Sequence, residues 1–131
     1  MIKFASAVLA TGLLFSSPAL AQSAKVLSSL TNDAVTVTNY YKQNVYDPSD
    51  TKIGEIEDVL INNQGHIEAF IIGVGGFLGA GQKDVAVPFT AVKGTKKNEK
   101  WYLTMNASKD ELKNAQGFTY DRTNTRWVAQ K

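Results

Sequence analysis

The sequence contains no cysteine among its 131 residues. Disulfide bonds and thiolate metal sites are therefore excluded, and no lipid can be attached to a cysteine at a processed N-terminus. Only one histidine is present, His66, whereas a zinc site draws several ligands from His, Cys and carboxylate side chains. We predict no metal site, and a domain that is held together by packing alone.

Charge of one sign is also scarce, with 14 basic and 12 acidic residues giving a net charge of +2. Loss of Lys3 with an N-terminal leader would lower this charge by one, to +1. Binding a phosphate backbone needs a concentrated basic surface, so no nucleic-acid partner is predicted. After residue 22 no apolar run approaches the length of about 20 residues that spans a bilayer. Membrane contact is predicted to be peripheral at most.

The N-terminus has the three parts of a secretory signal peptide. Lys3 precedes an apolar run over residues 4–15, and Ala19 and Ala21 then form an A-x-A cleavage site. This pattern predicts export and cleavage before Gln22. The expected location is the periplasm, with secretion beyond the envelope left open.

The remaining chain, about 110 residues long, has the length of one domain. We divide the sequence into a signal peptide at 1–21, a flexible lead-in at 22–39, a barrel domain at 40–107, and a short helix with a tail at 108–131. Within the lead-in, the alternation of Val35 and Val37 is compatible with a short strand.

Short apolar runs separated by turn signals predict strands over most of the barrel region. The apolar runs at 53–61 and 66–74 flank Asn62-Asn63-Gln64-Gly65, which is typical of a hairpin loop. The second run has apolar side chains on both faces, which indicates a central strand. A strand at 84–89 carries Pro88 and should therefore end or lie at an edge there.

The C-terminal third of the chain combines a second hairpin and a helix. A polar, lysine-rich connection at 93–100 resembles a hairpin tip, and the strand 101–105 follows it. Ser108 and Glu111 fit a capping box, so a short helix should begin there and end at Gly117. The tail contains Trp127 and a short strand around it. The pattern predicts an all-β fold, a small β-barrel with one short C-terminal helix.

Five glycines fall within residues 73–81 and suggest a phosphate-binding loop, but their spacing does not fit one. In a G-x-G-x-x-G frame starting at Gly73 the last glycine position holds Leu78. In a G-x-x-x-x-G-K frame the lysine position holds Gln82, and a strand follows where a helix is needed. We predict no cofactor, and a connection whose glycines adopt backbone angles closed to other residues.

No catalytic residues are predicted. A catalytic histidine needs a nucleophile and an orienting group, and no G-x-S-x-G elbow accompanies His66. The acidic residues of the first hairpin are read as solvated outer-face charges, although paired carboxylates can serve glycoside hydrolysis. These residues are Glu55, Glu57, Asp58 and Glu68. A hydrolase that uses them or His66 remains an alternative.

The order of these motifs resembles the PRC-barrel family, named after the photosynthetic reaction centre whose H subunit contains the domain. The resemblance rests on K-I-G-E-I-E-D-V-L-I at 52–61, the glycine segment, and D-V-A-V-P-F at 84–89. It is strongest to small exported PRC-barrel proteins of Gram-negative bacteria. The resemblance implies a compact barrel, usually without enzymatic activity, that binds other proteins or helps to order a complex.

The predicted function is thus a protein-binding or scaffold module whose partner is another periplasmic or membrane-associated protein. The contact region is expected at the glycine segment and the strand after it, through strand addition at an exposed edge. Its residues are Gly75, Gly76, Phe77, Leu78, Gly79, Val85, Val87 and Phe89. A small-ligand or membrane-surface binder, acting through the barrel mouth or the lysine-rich tip, is the alternative.

Export can be tested on the protein itself. Intact-mass measurement of the protein recovered from a Gram-negative periplasm should give a chain that begins at Gln22, because small residues at 19 and 21 favour cleavage after residue 21. A chain that retains Met1 and remains in the cytoplasm would contradict the prediction.

Overall fold

The computed structural model describes residues 24–75 and 81–131. The chain divides into two compact units, Met1–Asn32 and Asp33–Lys131. In the first unit, residues 24–32 form neither helix nor strand, and Val26, Leu27 and Leu30 are exposed. The predicted signal peptide lies outside the described residues.

The second unit contains eight strands and a short helix among its described residues. In chain order they are β1 (Asn44–Tyr46), β2 (Lys52–Ile61), β3 (Ile67–Val74), β4 (Lys83–Pro88), β5 (Val92–Lys97), β6 (Lys100–Met105), α1 (Lys109–Lys113), β7 (Gly117–Asp121) and β8 (Arg126–Ala129).

All eight strands join one sheet in the order β5-β6-β1-β2-β3-β4-β7-β8. Neighbouring strands are antiparallel except β1 and β6, which are parallel and pair Val45 with Leu103 and Tyr46 with Thr104. Strands consecutive in the chain form the pairs β1–β2, β2–β3, β3–β4, β5–β6 and β7–β8, whereas the β1–β6 and β4–β7 pairs join segments distant in sequence.

The hairpin between β2 and β3 is confirmed at the predicted turn. The Asn62 side-chain oxygen accepts hydrogen bonds from the backbone N–H groups of Gln64 and His66, at 3.0 and 3.1 Å. Gly65 has φ of +82°, a conformation that glycine adopts at little cost. The turn residues therefore set the register in which the two longest strands of the sheet pair.

β2 departs from strict alternation of buried and exposed residues at Ile56, which stands three positions after Ile53 in the sequence. Ile56 is fully buried, and the β2–β3 register shifts between Ile56 and Asp58. Such a β-bulge inserts an extra residue and bends the strand. Glycine at position 54 allows β2 and β3 to approach closely. A Cβ there would lie 2.5 Å from the Ile72 side chain and 3.0 Å from the Gly73 carbonyl oxygen.

One face of the sheet surrounds a common core. Phe70 and Ile72 of β3 pack there with fully buried residues of β1, β2, β4 and β6, while Ile71 is equally buried but lies outside this cluster. β3 is thus apolar on both faces, as predicted for a central strand. Because six consecutive strands of the sheet turn apolar residues toward one cluster, the sheet curls into the all-β, barrel-like domain that the sequence predicted.

The C-terminal tail belongs to the same sheet. β7 pairs with β4 through Val85 and Gly117, and Trp127 on β8 donates a hydrogen bond from Nε1 to the Asp58 carboxylate at 2.8 Å. The Tyr120 ring lies 5.5 Å from that of Trp127. The β7–β8 hairpin is therefore anchored to β2 by a side chain as well as to β4 by its backbone.

The helix begins as predicted and ends earlier than predicted. The Ser108 hydroxyl accepts a hydrogen bond from the Glu111 N–H at 3.1 Å, which confirms the N-cap. The helix ends at Lys113, however, because the Asn114 N–H closes the last turn on the Asp110 carbonyl. Gly117 does not stop the helix: it is the first residue of β7, a strand that the alternation of Phe118 and Tyr120 could have indicated.

Two further predictions of local structure are wrong. Val35 and Val37 do not form a strand; a 3-10 turn spans Val37–Asn39 and leads into the buried Tyr40. The lysine-rich connection is also shorter than predicted, because residues 92–97 form β5 and only Asn98 and Glu99 turn, with φ of 52° and 64°. Both turn residues have positive φ, as a two-residue hairpin loop of type I′ requires.

Substitution of Gly54 by alanine tests the close approach of β2 and β3. The added methyl group should overpack the core and lower the free energy of unfolding by about 1–3 kcal/mol. Urea unfolding measures this difference. Gly81→Ala is the control, because no described atom lies within 4 Å of a Cβ at that position. Equal stability of Gly54→Ala and the unmodified protein would contradict the packing.

Candidate functional site

The glycine segment connects two paired central strands. Val74 at the end of β3 pairs with Lys83 at the start of β4, and Gly73 pairs with Asp84. The segment therefore leaves and re-enters the sheet at one point. Four of the predicted contact residues, Gly76, Phe77, Leu78 and Gly79, lie outside the described residues, and their role stays a prediction.

The remaining predicted contact residues divide between surface and core. Gly75 is half-buried, but Val85 and Val87 point into the core and are 1% and 9% exposed. Phe89 packs against Phe70 with ring centroids 5.5 Å apart. The side chains of Val85, Val87 and Phe89 are thus engaged in packing. β4 also has a neighbour on each side, so it does not offer the exposed edge that was expected for strand addition.

An open cleft of about 380 Å³ lies beside the base of the glycine segment. The Gln82 amide crosses the face of Gly73, where a Cβ would lie 2.3 Å from Nε2, and donates to the Asp84 carboxylate at 3.0 Å. The cleft is lined by Lys52, Ile53, Gly54, Glu55, Gly73, Gly75, Gln82 and Lys109. Its lining is mostly polar and carries charges of both signs.

A second surface forms where β5, β6 and β1 lie side by side. The β5–β6 register pairs Lys93 with Thr104, Thr95 with Tyr102, and Lys97 with Lys100. These alternate residues share the sheet face opposite the buried Leu103 and Met105. We call the face formed by Lys93, Thr95, Lys97, Lys100, Tyr46 and Tyr102 the basic face.

Two tyrosines and one aspartate organise the basic face. The Tyr46 and Tyr102 rings stack with centroids 4.9 Å apart and an interplanar angle of 17°. Lys97 Nζ lies 4.6 Å from the centre of the Tyr102 ring and 4.0 Å from an Asp50 oxygen. The Tyr102 hydroxyl donates a hydrogen bond to the Asp50 carboxylate, which raises the pKa of Tyr102 to about 12.

The turn after β1 places Asp50 at this face. The Asp47 side-chain oxygen accepts hydrogen bonds from the Ser49 and Thr51 N–H groups at 2.8 and 2.9 Å, which is typical of an aspartate that begins a turn. Asp50 itself has φ of 66°. A groove of about 450 Å³ opens between this turn, the β5–β6 tip and the stacked tyrosines.

Trp101 closes the inner side of the same hairpin. Its ring covers Gly94, where a Cβ would lie 2.3 Å from Cζ2, and it meets the Tyr40 ring edge to face at 6.1 Å. The two aromatic residues that follow the lysines in the sequence therefore lie on opposite faces of the sheet. Trp101 packs on the core, and Tyr102 lies on the outer face. No pattern in the sequence identifies Tyr46 as the partner of Tyr102.

The residues considered for hydrolysis are dispersed or have structural partners. His66 is exposed at the turn before β3. Glu57 pairs with Lys42, and that hydrogen bond raises the pKa of Lys42. Asp58 accepts from Trp127 and from the Val59 N–H. Within 24–75 and 81–131, His and acidic side chains form no group of three that could hold a metal ion.

No helix in the described part of the chain is long and apolar enough to cross a membrane.

A comparison with protein families identifies the domain to which these surfaces belong. The family model of the PRC-barrel domain matches residues 32–112. The chain belongs to the PRC-barrel family. PRC-barrel domains are generally non-catalytic modules, and the match covers the strands β1 to β6 and most of α1. The β7–β8 hairpin lies beyond the matched residues. A search of curated proteins found no match.

The hydrogen bond between Tyr102 and Asp50 can be tested by titration. The folded-state pKa of about 12 exceeds the ordinary value of 10.0. The bond therefore stabilises the fold below pH 10 and loses this effect as the pH rises toward 12. The difference in tyrosinate absorbance between the unmodified protein and Tyr102→Phe should titrate near pH 12. In the Asp50→Asn background the same difference should titrate closer to pH 10.

The remote Asp33→Asn is the matched control and should leave the titration of Tyr102 unchanged. An equal midpoint for Tyr102 with and without the Asp50 carboxylate would disprove the hydrogen bond as the cause.

Proposed function

We propose that this PRC-barrel protein is an exported, non-catalytic module that binds another protein of the periplasm or envelope. The observation that carries the proposal is the position of the glycine segment. It joins β3 and β4, which together supply five buried residues of the core cluster, and an open polar cleft lies beside its base. Loops presented by a rigid scaffold are frequent sites of binding.

The two ends of the glycine segment support a role as a presented loop. Phe70, Ile72 and Val74 of β3 and Val85 of β4 are between 0% and 2% exposed, so both strands are locked into the core. Gly73 and Gly75 lie against Gln82, and a Cβ at either position would press on that residue. The Gln82 side chain therefore fills the space that these glycines leave beside the cleft, and it holds the two ends of the segment against each other.

The sequence supports the remaining parts of the proposal. Phe77 and Leu78 stand between glycines in the middle of the segment, and large apolar side chains are common anchors of protein interfaces. The apolar leader with its A-x-A site supports export. The resemblance to small exported proteins of Gram-negative bacteria supports the periplasm as the location and a protein as the partner.

Capture of a partner tests the proposal. After crosslinking in the native periplasm, the double variant Phe77→Ser/Leu78→Ser should recover at least about tenfold less partner, because anchors of this kind contribute more than 1.4 kcal/mol to binding. The fold should remain cooperative in urea unfolding.

A matched control removes two apolar side chains elsewhere. Val26→Ser/Leu27→Ser changes residues that are 90% and 70% exposed and should recover as much partner as the unmodified protein. Recovery that is the same for all three proteins would rule out the glycine segment, and the lack of any specific partner would refute the binding function.

A further inference from the structure

We propose that the outer edge of β5, together with the basic face beside it, binds an extended acidic segment of a partner protein by strand addition. This inference rests on the proposed function, in that the ligand is a protein. It locates the contact at the terminal strand β5 instead of the interior strand β4, and it specifies the conformation and the charge of the segment that is bound.

β5 offers a backbone edge. It is the terminal strand of the sheet order, and no other described strand pairs with its outer side. It is six residues long, and Lys93, Thr95, Lys96 and Lys97 are exposed. An edge of this kind presents N–H and C=O groups at the spacing that an added strand needs, and such backbone hydrogen bonds supply much of the affinity in strand addition.

The charge around this edge has one sign. The hairpin of β5 and β6 contains four lysines and a single acidic residue, Glu99, at its turn. Asp50 is the acidic residue of the adjoining groove, and its carboxylate is already engaged by the Tyr102 hydroxyl and lies near Lys97. Lys93 and Lys100 project from the same face, so acidic side chains of an added strand would meet uncompensated positive charge.

The stacked tyrosines add a rigid surface to the groove. The Tyr102 ring is held between Tyr46 and Lys97 Nζ and is fixed at its hydroxyl by Asp50. A side chain that is restrained in this way loses little further freedom when a ligand binds. The groove of about 450 Å³ opens between β6 and the turn after β1, and it borders the edge strand at Lys97, the last residue of β5.

The same lysines disfavour a second copy of this chain as the occupant. Pairing of β5 with β5 would bring lysines of two copies together, and like charges across a strand pair are destabilising. A nucleic acid or a lipid headgroup could use the lysines, but it would leave the row of backbone groups on β5 without partners. The combination of a free strand edge and a basic face thus favours an acidic peptide.

A peptide probe of matched length tests the inference. A fluorescein-labelled peptide of alternating valine and glutamate, six residues long like β5, should bind the mature protein, and binding should weaken as salt is raised. The double variant Lys93→Glu/Lys97→Glu should weaken binding at least about tenfold, as measured by fluorescence anisotropy. A peptide in which lysine replaces glutamate should not bind.

The control variant Arg122→Glu/Lys131→Glu reverses two exposed charges outside the basic face and should bind the probe like the unmodified protein. Strand addition has its own signature, because amide hydrogen exchange of residues 92–97 should slow when the peptide is bound. Binding without slower exchange in β5 would overturn strand addition, and equal weakening by both charge reversals would overturn the site.

Two comparisons separate this inference from the alternatives and from the proposed function. Lysine-dependent binding to phosphatidylglycerol vesicles, with no binding of the peptide, would replace the peptide by a membrane surface. If the Lys93→Glu/Lys97→Glu variant still captures the periplasmic partner in full, the β5 site is wrong while the binding function stands. If the unmodified protein captures no partner, the proposed function itself fails.

Discussion

The burial of β3 is the interaction on which the rest of the structure depends. Phe70, Ile71 and Ile72 are fully buried at consecutive positions, which is unusual for a strand with one solvated face. Burial of each such side chain contributes about 1.5–3 kcal/mol relative to exposure. β2 and β4 are held on either side of this strand; β1, β6 and β5 follow β2, and β7 and β8 follow β4.

Apolar side chains fill the interior of the sheet, and the polar and charged groups lie at its surface. In the described part of the chain no polar or charged residue is buried, and the aromatic residues Tyr40, Phe70 and Phe89 pack together at the core. Among residues 24–75 and 81–131, the pKa is shifted at Lys42, Tyr102 and Asp121, each on the surface.

The two proposed contact surfaces use different physical properties of one sheet. The glycine segment extends from the β3–β4 pair and combines small residues with a polar cleft. The β5 edge combines unpaired backbone groups with lysines that also oppose self-association. The tertiary contacts between Tyr46, Asp50, Tyr102 and Lys97 organise the second surface, and they join two segments, 46–50 and 97–102, that are distant in the sequence.

The sequence alone determined the fold class, the β2–β3 hairpin and the start of the helix, because those depend on local periodicity, a glycine with positive φ at Gly65, and a capping residue at Ser108. It also contained the irregularity at Ile56 that the β-bulge explains. Only the tertiary structure decided that β4 is an interior strand and β5 an edge, and that Tyr46 stacks on Tyr102. Strand order and side-chain contacts of this kind depend on which distant segments meet, and no local pattern encodes that.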